Sequence, residues 1–172
     1  MADCVNALKE WTGKARATVV YDSTVDEFTN DGLFHKIKGK QNIAVIGFTT
    51  DGDVFGGFYT VAATKLFEDV RDPNVFTFSF ESHGRCMTPQ WFVVKAGLSK
   101  EVYVRFKKNH TSGFVFFGLY SVGCGFYLGN ERSNSCCCYM SRAFEGLEDR
   151  TLTGKNFPKN HHCTRLVAVL LE

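Results

Sequence analysis

The chain has 172 residues, room for one domain and too few for two comfortable ones. Hydrophobic residues make up 44% and charged residues 22%, ordinary globular values that exclude a disordered tail, a collagenous chain and a coiled coil. The formal net charge is only +2, which is no polyanion-binding signature by itself, although residues 1–86 carry a net −3 and residues 87–172 a net +5.

In chain order, Val5, Leu8 and Trp11 recur at helical spacing and predict a short helix over residues 3–11, stopped by Gly13. Residues 17–21 read as a strand. Ser23 or Thr24 then offers a helix cap, and Thr24 with Glu27 three residues on fits a capping box. Val25, Phe28, Phe34 and Ile37 supply an apolar face, which Asn30-Asp31-Gly32 interrupts, so one helix and two short ones both fit. Residues 42–49 and 54–60 form a hairpin signal around Asp51-Gly52, the turn pair that favours positive φ. Gly56 and Gly57 inside the return strand predict a bulge or a close backbone approach. Asp72-Pro73-Asn74 is a further turn. In the strand that follows it, over residues 75–80, the Phe side chains share one face and Val75, Thr77 and Ser79 the other.

Residues 91–95, 102–106 and 113–120 are further strands, with weaker ones over 126–128 and 136–140. The apolar run 164–171 reads as a buried central strand. Eight to ten short strands with two or three helices predict a β-rich α+β fold, a two-sheet antiparallel β-sandwich with short flanking helices.

No phosphate loop or dinucleotide fingerprint is present. Gly123-Cys124-Gly125 is followed by Gly129 one residue late and sits among strand residues, so a structural turn is the reading. Ser121 lacks the first Gly and the following helix of a nucleophile elbow. Residues 112–118 have the aromatic content of an RNA-binding strand without its leading basic residue, and read as buried β-structure. The pairs Asp26-Glu27, Glu68-Asp69 and Glu148-Asp149 read as solvated faces.

Seven Cys cannot pair completely within one chain. The N-terminal residues lack a charged segment followed by an apolar one, and no stretch approaches 18 apolar residues. Free thiols in an intracellular, cytoplasmic setting, with the nucleus as alternative, and no membrane insertion are therefore expected. The Asn109-His110-Thr111 sequon is then irrelevant. Cys136-Cys137-Cys138 is the oddest local feature. On a strand, Cys136 and Cys138 share one face and Cys137 takes the other. Adjacent thiols chelate one tetrahedral metal poorly, and no Cys-x-x-Cys pair occurs, so no metal or cofactor is assigned. Arg132 and Arg142 flank the triplet, which makes Cys136, Cys137 and Cys138 redox candidates, because nearby cations lower a thiol pKa. His161-His162 beside Cys163 is read as part of a Lys-rich loop.

Val20-Tyr21-Asp22-Ser23 followed by a helix, the hairpin carrying Phe55-Gly56-Gly57-Phe58, and Asp72-x-x-x-Phe76-x-Phe78 stand in an order that resembles the TLDc domain family. The later Gly-rich strands, and Leu152-x-Gly154 before a terminal apolar strand, continue it. The similarity spans residues 17–172, leaving residues 1–16 as an N-terminal helical extension. The lack of an accompanying LysM or TBC domain departs from the family pattern, as does the Cys136–Cys138 triplet, so the chain is read as a short stand-alone member in which the fold can be kept while the partner changes. The resemblance implies one domain of two packed sheets, a role in protection against oxidative stress, and binding of the vacuolar proton-pumping ATPase. It supplies no catalytic residues. Phe55, Gly56, Gly57 and Phe58 match its motif and are read as structural. Two alternatives stay open: a redox-responsive nucleic-acid-binding regulator, suggested by the +5 half and the thiols, and a Cys/His-dependent enzyme.

Overall fold

The computed structural model describes residues 1–106, 115–130, 132 and 135–172. The sequon, Lys107-Lys108 and the first three residues of the aromatic stretch 112–118 lie outside these. The elements run α1 (Ala2–Thr12), β1 (Ala17–Asp22), α2 (Asn30–Ile37), β2 (Ile43–Thr49), β3 (Val54–Tyr59), β4 (Val70–Arg71), β5 (Phe76–Glu81), β6 (Gln90–Val93), β7 (Tyr103–Arg105), β8 (Val115–Ser121), β9 (Cys124–Gly129), β10 (Cys137–Cys138) and β11 (Cys163–Leu171).

Two sheets result, one ordered β1-β11-β2-β3-β5-β6 and the other β10-β9-β8-β7-β4. Each neighbouring pair is antiparallel. The fold is the expected two-sheet β-sandwich with short helices. The facing sides of the two sheets bury Phe55, Tyr59, Phe117, Leu119, Phe126, Leu128 and Leu166. A second apolar layer lies on the other side of the first sheet, where α1 covers it. There Leu8 is fully buried with Ile46, Phe58, Phe76, Phe78 and Val167, and Trp11 stacks on Phe80 at 5.5 Å between ring centroids. Burial of Leu8 alone stabilises by about 1.5–3 kcal/mol. β11 is buried on both faces, Leu166 and Ala168 inward and Val167 and Val169 toward α1, which is why its sequence is an unbroken apolar run.

The helix expected to start at Ser23 or Thr24 does not form there. Thr24 instead gives both its N–H and its hydroxyl to the Asp22 carboxylate. The N-cap of α2 is Thr29, whose hydroxyl accepts from the Gly32 N–H at 3.1 Å. Asn30-Asp31-Gly32 is therefore the first turn of the helix rather than its interruption. The 51–52 turn forms as expected, with Gly52 at φ 88. β10 covers only two residues of the segment 136–140. Tyr139 takes a left-handed φ of 47 and opens a 3-10 turn over Met140–Arg142.

Candidate functional site

β10 is the edge strand of the second sheet and pairs Cys137 with Phe126 and Cys138 with Gly125 of β9. The two-residue period separates the triplet as expected. Cys137 turns into the inter-sheet core, and the other two thiols share the opposite face. The Sγ atoms of Cys136 and Cys138 lie 3.4 Å apart, a thiol–thiol hydrogen bond. Cys136 is buried at 8% exposure, whereas Cys138 is half-buried. Cys138 opens onto a cavity of about 380 Å³ walled by Tyr120, Tyr127, Tyr139 and Phe157. Backbone bonds hold the strand from both sides: the Tyr127 N–H donates to the Cys136 carbonyl at 3.2 Å, and the Phe157 N–H to the Cys137 carbonyl at 2.8 Å.

For Cys136 and Cys137, burial and not a neighbouring cation has the largest effect on the thiol. Burial, then the hydrogen bond to Cys138, pushes the Cys136 thiol up to about 12. Burial raises Cys137 as well, and takes Cys163, on β11, up to about 12. The Arg142 guanidinium stacks over the Tyr139 ring at 4.4 Å. Its charge reaches Cys124, where burial outweighs it and raises the thiol. Ser121, at the end of β8, hydrogen-bonds that same Cys124.

His161 is not a loop residue in the sense expected. It is 1% exposed, and a backbone bridge joins it to Ser135. Its Nε2–H donates to the Tyr127 carbonyl at 2.8 Å, and its ring packs edge-on to Phe55 at 5.3 Å. Burial pushes it down to about 4. The ring is thus neutral at physiological pH, with its proton committed to a backbone oxygen. Among the described residues no group of three His, Cys, Asp or Glu side chains converges on a metal position.

Phe55, Gly56, Gly57 and Phe58 alternate across β3. Phe55 meets Phe126 at 5.3 Å in the inter-sheet core, and Phe58 stacks on Phe76 at 4.8 Å in the layer under α1. The glycines answer a close approach: a Cβ on Gly56 would lie 1.9 Å from the Val45 carbonyl oxygen. The register irregularity sits one step earlier, between Val54 and Phe55.

Sequence reasoning missed the outer face of the second sheet. Tyr103 of β7 stacks on Tyr120 of β8 at 5.1 Å and 14°, and Tyr120 meets Tyr127 of β9 edge-on at 5.0 Å. The Arg105 guanidinium lies over Tyr103 at 5.4 Å and over Tyr120 at 5.8 Å, and Arg71 over Tyr103 at 6.0 Å. Arg105 also pairs with Asp69, and Arg71 donates to the Lys100 carbonyl at 2.8 Å. Two other features are accounted for locally. A larger cavity of about 790 Å³ beside α2 has walls of mixed charge, Asp26, Glu27 and Asp31 with Lys36, Lys38 and Lys65. Asp53, buried at the hairpin turn, pairs with Arg85 and ties the turn to a distant segment.

No protein-family model matches the chain, and no curated protein matches it. Among the described residues no helix is long and apolar enough to cross a membrane.

Proposed function

We propose that the chain is a TLDc-like interaction module of the oxidative-stress response, acting by binding a protein partner and not by catalysis. The observation that carries this reading is the placement of Phe55-Gly56-Gly57-Phe58, the most informative part of the resemblance. That element joins the inter-sheet core to the layer under α1 through Phe55 and Phe58. The two-sheet sandwich is also the architecture that the resemblance implies. A rigid sandwich presents its connecting loops to a partner. The vacuolar proton-pumping ATPase is the partner suggested by the resemblance. The test is native affinity purification from the source cells, with and without peroxide, followed by direct binding of the purified chain to purified pump subunits. Recovery and saturable binding of a subunit are expected. Failure in both steps rejects this partner.

The outer face of the second sheet favours a second reading. Stacked Tyr103 and Tyr120, with Arg71 and Arg105 over them, are the residue types that hold unstacked bases and phosphates on a sheet. Here Asp69 and the Lys100 carbonyl must be displaced for the guanidiniums to serve. On this reading labelled single-stranded RNA or DNA binds with an affinity that falls as salt rises. Tyr103→Ala is expected to cost about 1–3 kcal/mol of that affinity. The absence of any salt-sensitive anisotropy change with either nucleic acid, in reduced and in oxidised protein, removes the reading.

A further inference from the structure

Cys136 and Cys138 stand apart from the other thiols in two ways. Theirs is the one Cys–Cys hydrogen bond among the described residues, with sulfurs already at 3.4 Å. They are also arranged in depth. Cys138 faces the cavity between Tyr127 and Phe157, and Cys136 lies buried immediately behind it. Cys137 and Cys163 are enclosed in the inter-sheet core. Cys124 also lines the cavity but is buried at 6% exposure and, among the described residues, has no sulfur hydrogen-bonded to it. A small oxidant entering there therefore meets in Cys138 the more open thiol, with a second sulfur in place to follow.

We infer that Cys136 and Cys138 form an oxidisable dithiol, in which a hydroperoxide oxidises Cys138 and Cys136 closes an intrastrand disulfide. In the first step the Cys138 sulfur attacks the peroxide oxygen. The S–O bond forms, the O–O bond breaks, and the departing hydroxide or alkoxide takes the Cys138 proton and leaves as water or alcohol. In the second step the Cys136 sulfur attacks the sulfur of the sulfenic acid. The S–S bond forms, the S–O bond breaks, and the released hydroxide takes the Cys136 proton as water. The two sulfurs lose two electrons in all, and the peroxide gains them. The depth of Cys136 leaves the encounter with the peroxide to Cys138, and its 3.4 Å sulfur–sulfur approach places it for the second step.

The closure has a mechanical consequence. A disulfide requires sulfurs about 2.05 Å apart, so the pair must draw together by more than about 1 Å. Same-face positions two apart on an extended strand span about 6.5 Å between Cα atoms, near the upper limit that a disulfide bridges. Oxidation therefore puckers a two-residue edge strand whose pairing with Gly125 is its last contact with β9. Tyr139, next in sequence and already left-handed, is moved with it, and so is the mouth of the cavity. This inference rests on the sulfur geometry and is independent of the identity of any partner.

The test is exposure of the full, reduced chain to increasing hydrogen peroxide, followed by blocking of free thiols and peptide mass spectrometry. Trypsin releases residues 133–142 as one peptide, so the disulfide reads as a loss of two hydrogens with one blocked thiol, at Cys137. That species is expected before oxidation of Cys4 or Cys86, and to revert with a reductant. Cys136→Ser is expected to stop at a Cys138 sulfenic acid that dimedone traps. Cys138→Ser is expected to slow oxidation of Cys136 by about tenfold or more, because the buried thiol must then meet the oxidant itself. Cys137→Ser should leave the disulfide intact. In the wild-type chain, a bridge through Cys137, a persistent Cys138 sulfenic acid, or oxidation no earlier than at Cys4 and Cys86 overturns the assignment.

Discussion

Gly56→Ala is expected to leave little folded protein. The added methyl carbon would lie 1.9 Å from the Val45 carbonyl oxygen and 2.9 Å from the Phe78 ring. The ring can rotate, but the oxygen belongs to the backbone of β2, whose ladder with β3 runs from Ile43–Tyr59 to Phe48–Val54. Relief requires the two central strands to part where they support both apolar layers. An expected loss of about 4 kcal/mol or more is exceptional for a single methyl group, and comparable with the whole stability of a typical domain, about 5–15 kcal/mol. Gly57→Ala is the comparison. Its Cβ meets the Phe117 ring at 3.2 Å and Leu119 at 3.3 Å, side chains that can shift. A cost of about 1–3 kcal/mol is expected there. Urea unfolding of both variants separates the cases. Equal midpoints for Gly56→Ala and the wild type would mean that β2 and β3 do not approach so closely.

What the sequence makes legible follows from how much of a signal one window holds. Phe76, Phe78 and Phe80 alternate within a single strand, so their shared face is readable, and the layer under α1 is where they go. Gly56 and Gly57 in a strand of bulky residues likewise point to a close approach. The start of α2 misleads because Thr24 and Thr29 both offer cap chemistry. Only the structure gives Thr24 to Asp22, a carboxylate that Arg165 also holds from the far end of the chain. β4 has two residues and carries no pattern. The Tyr103–Tyr120–Tyr127 face draws on three strands, so no window contains it. The triplet lies between these extremes. Period two places Cys136 and Cys138 together, but their 3.4 Å approach and unequal depth depend on β9 and on residue 157.

His161 is expected to make the fold sensitive to mild acid. Its ring packs against Phe55, its Nε2–H is held by the Tyr127 carbonyl, and its Nδ1 has no hydrogen-bond partner among the described residues. Protonation would place a charge in that apolar setting, so burial lowers the folded pKa to about 4 from an ordinary 6.5. Between these values the unfolded chain binds a proton that the folded chain refuses. Stability from this group is therefore full above pH 6.5, declines as pH falls toward 4, and declines no further below it. The span corresponds to a loss on the order of 3 kcal/mol. A second acid limb lies lower and has another origin. The Arg165 hydrogen bonds hold Asp22 at about 2, below its ordinary 3.8, so that contribution is lost only as pH falls from 3.8 toward 2. The two windows adjoin near pH 4, and variants can assign them. His161→Gln keeps a donor for the Tyr127 carbonyl but cannot titrate, and should flatten the upper limb. Asp22→Asn should alter only the lower one. Urea midpoints measured from neutral pH down to pH 4 read the upper limb directly. A slope that survives His161→Gln would show that another group carries it and that His161 is not buried as a neutral ring.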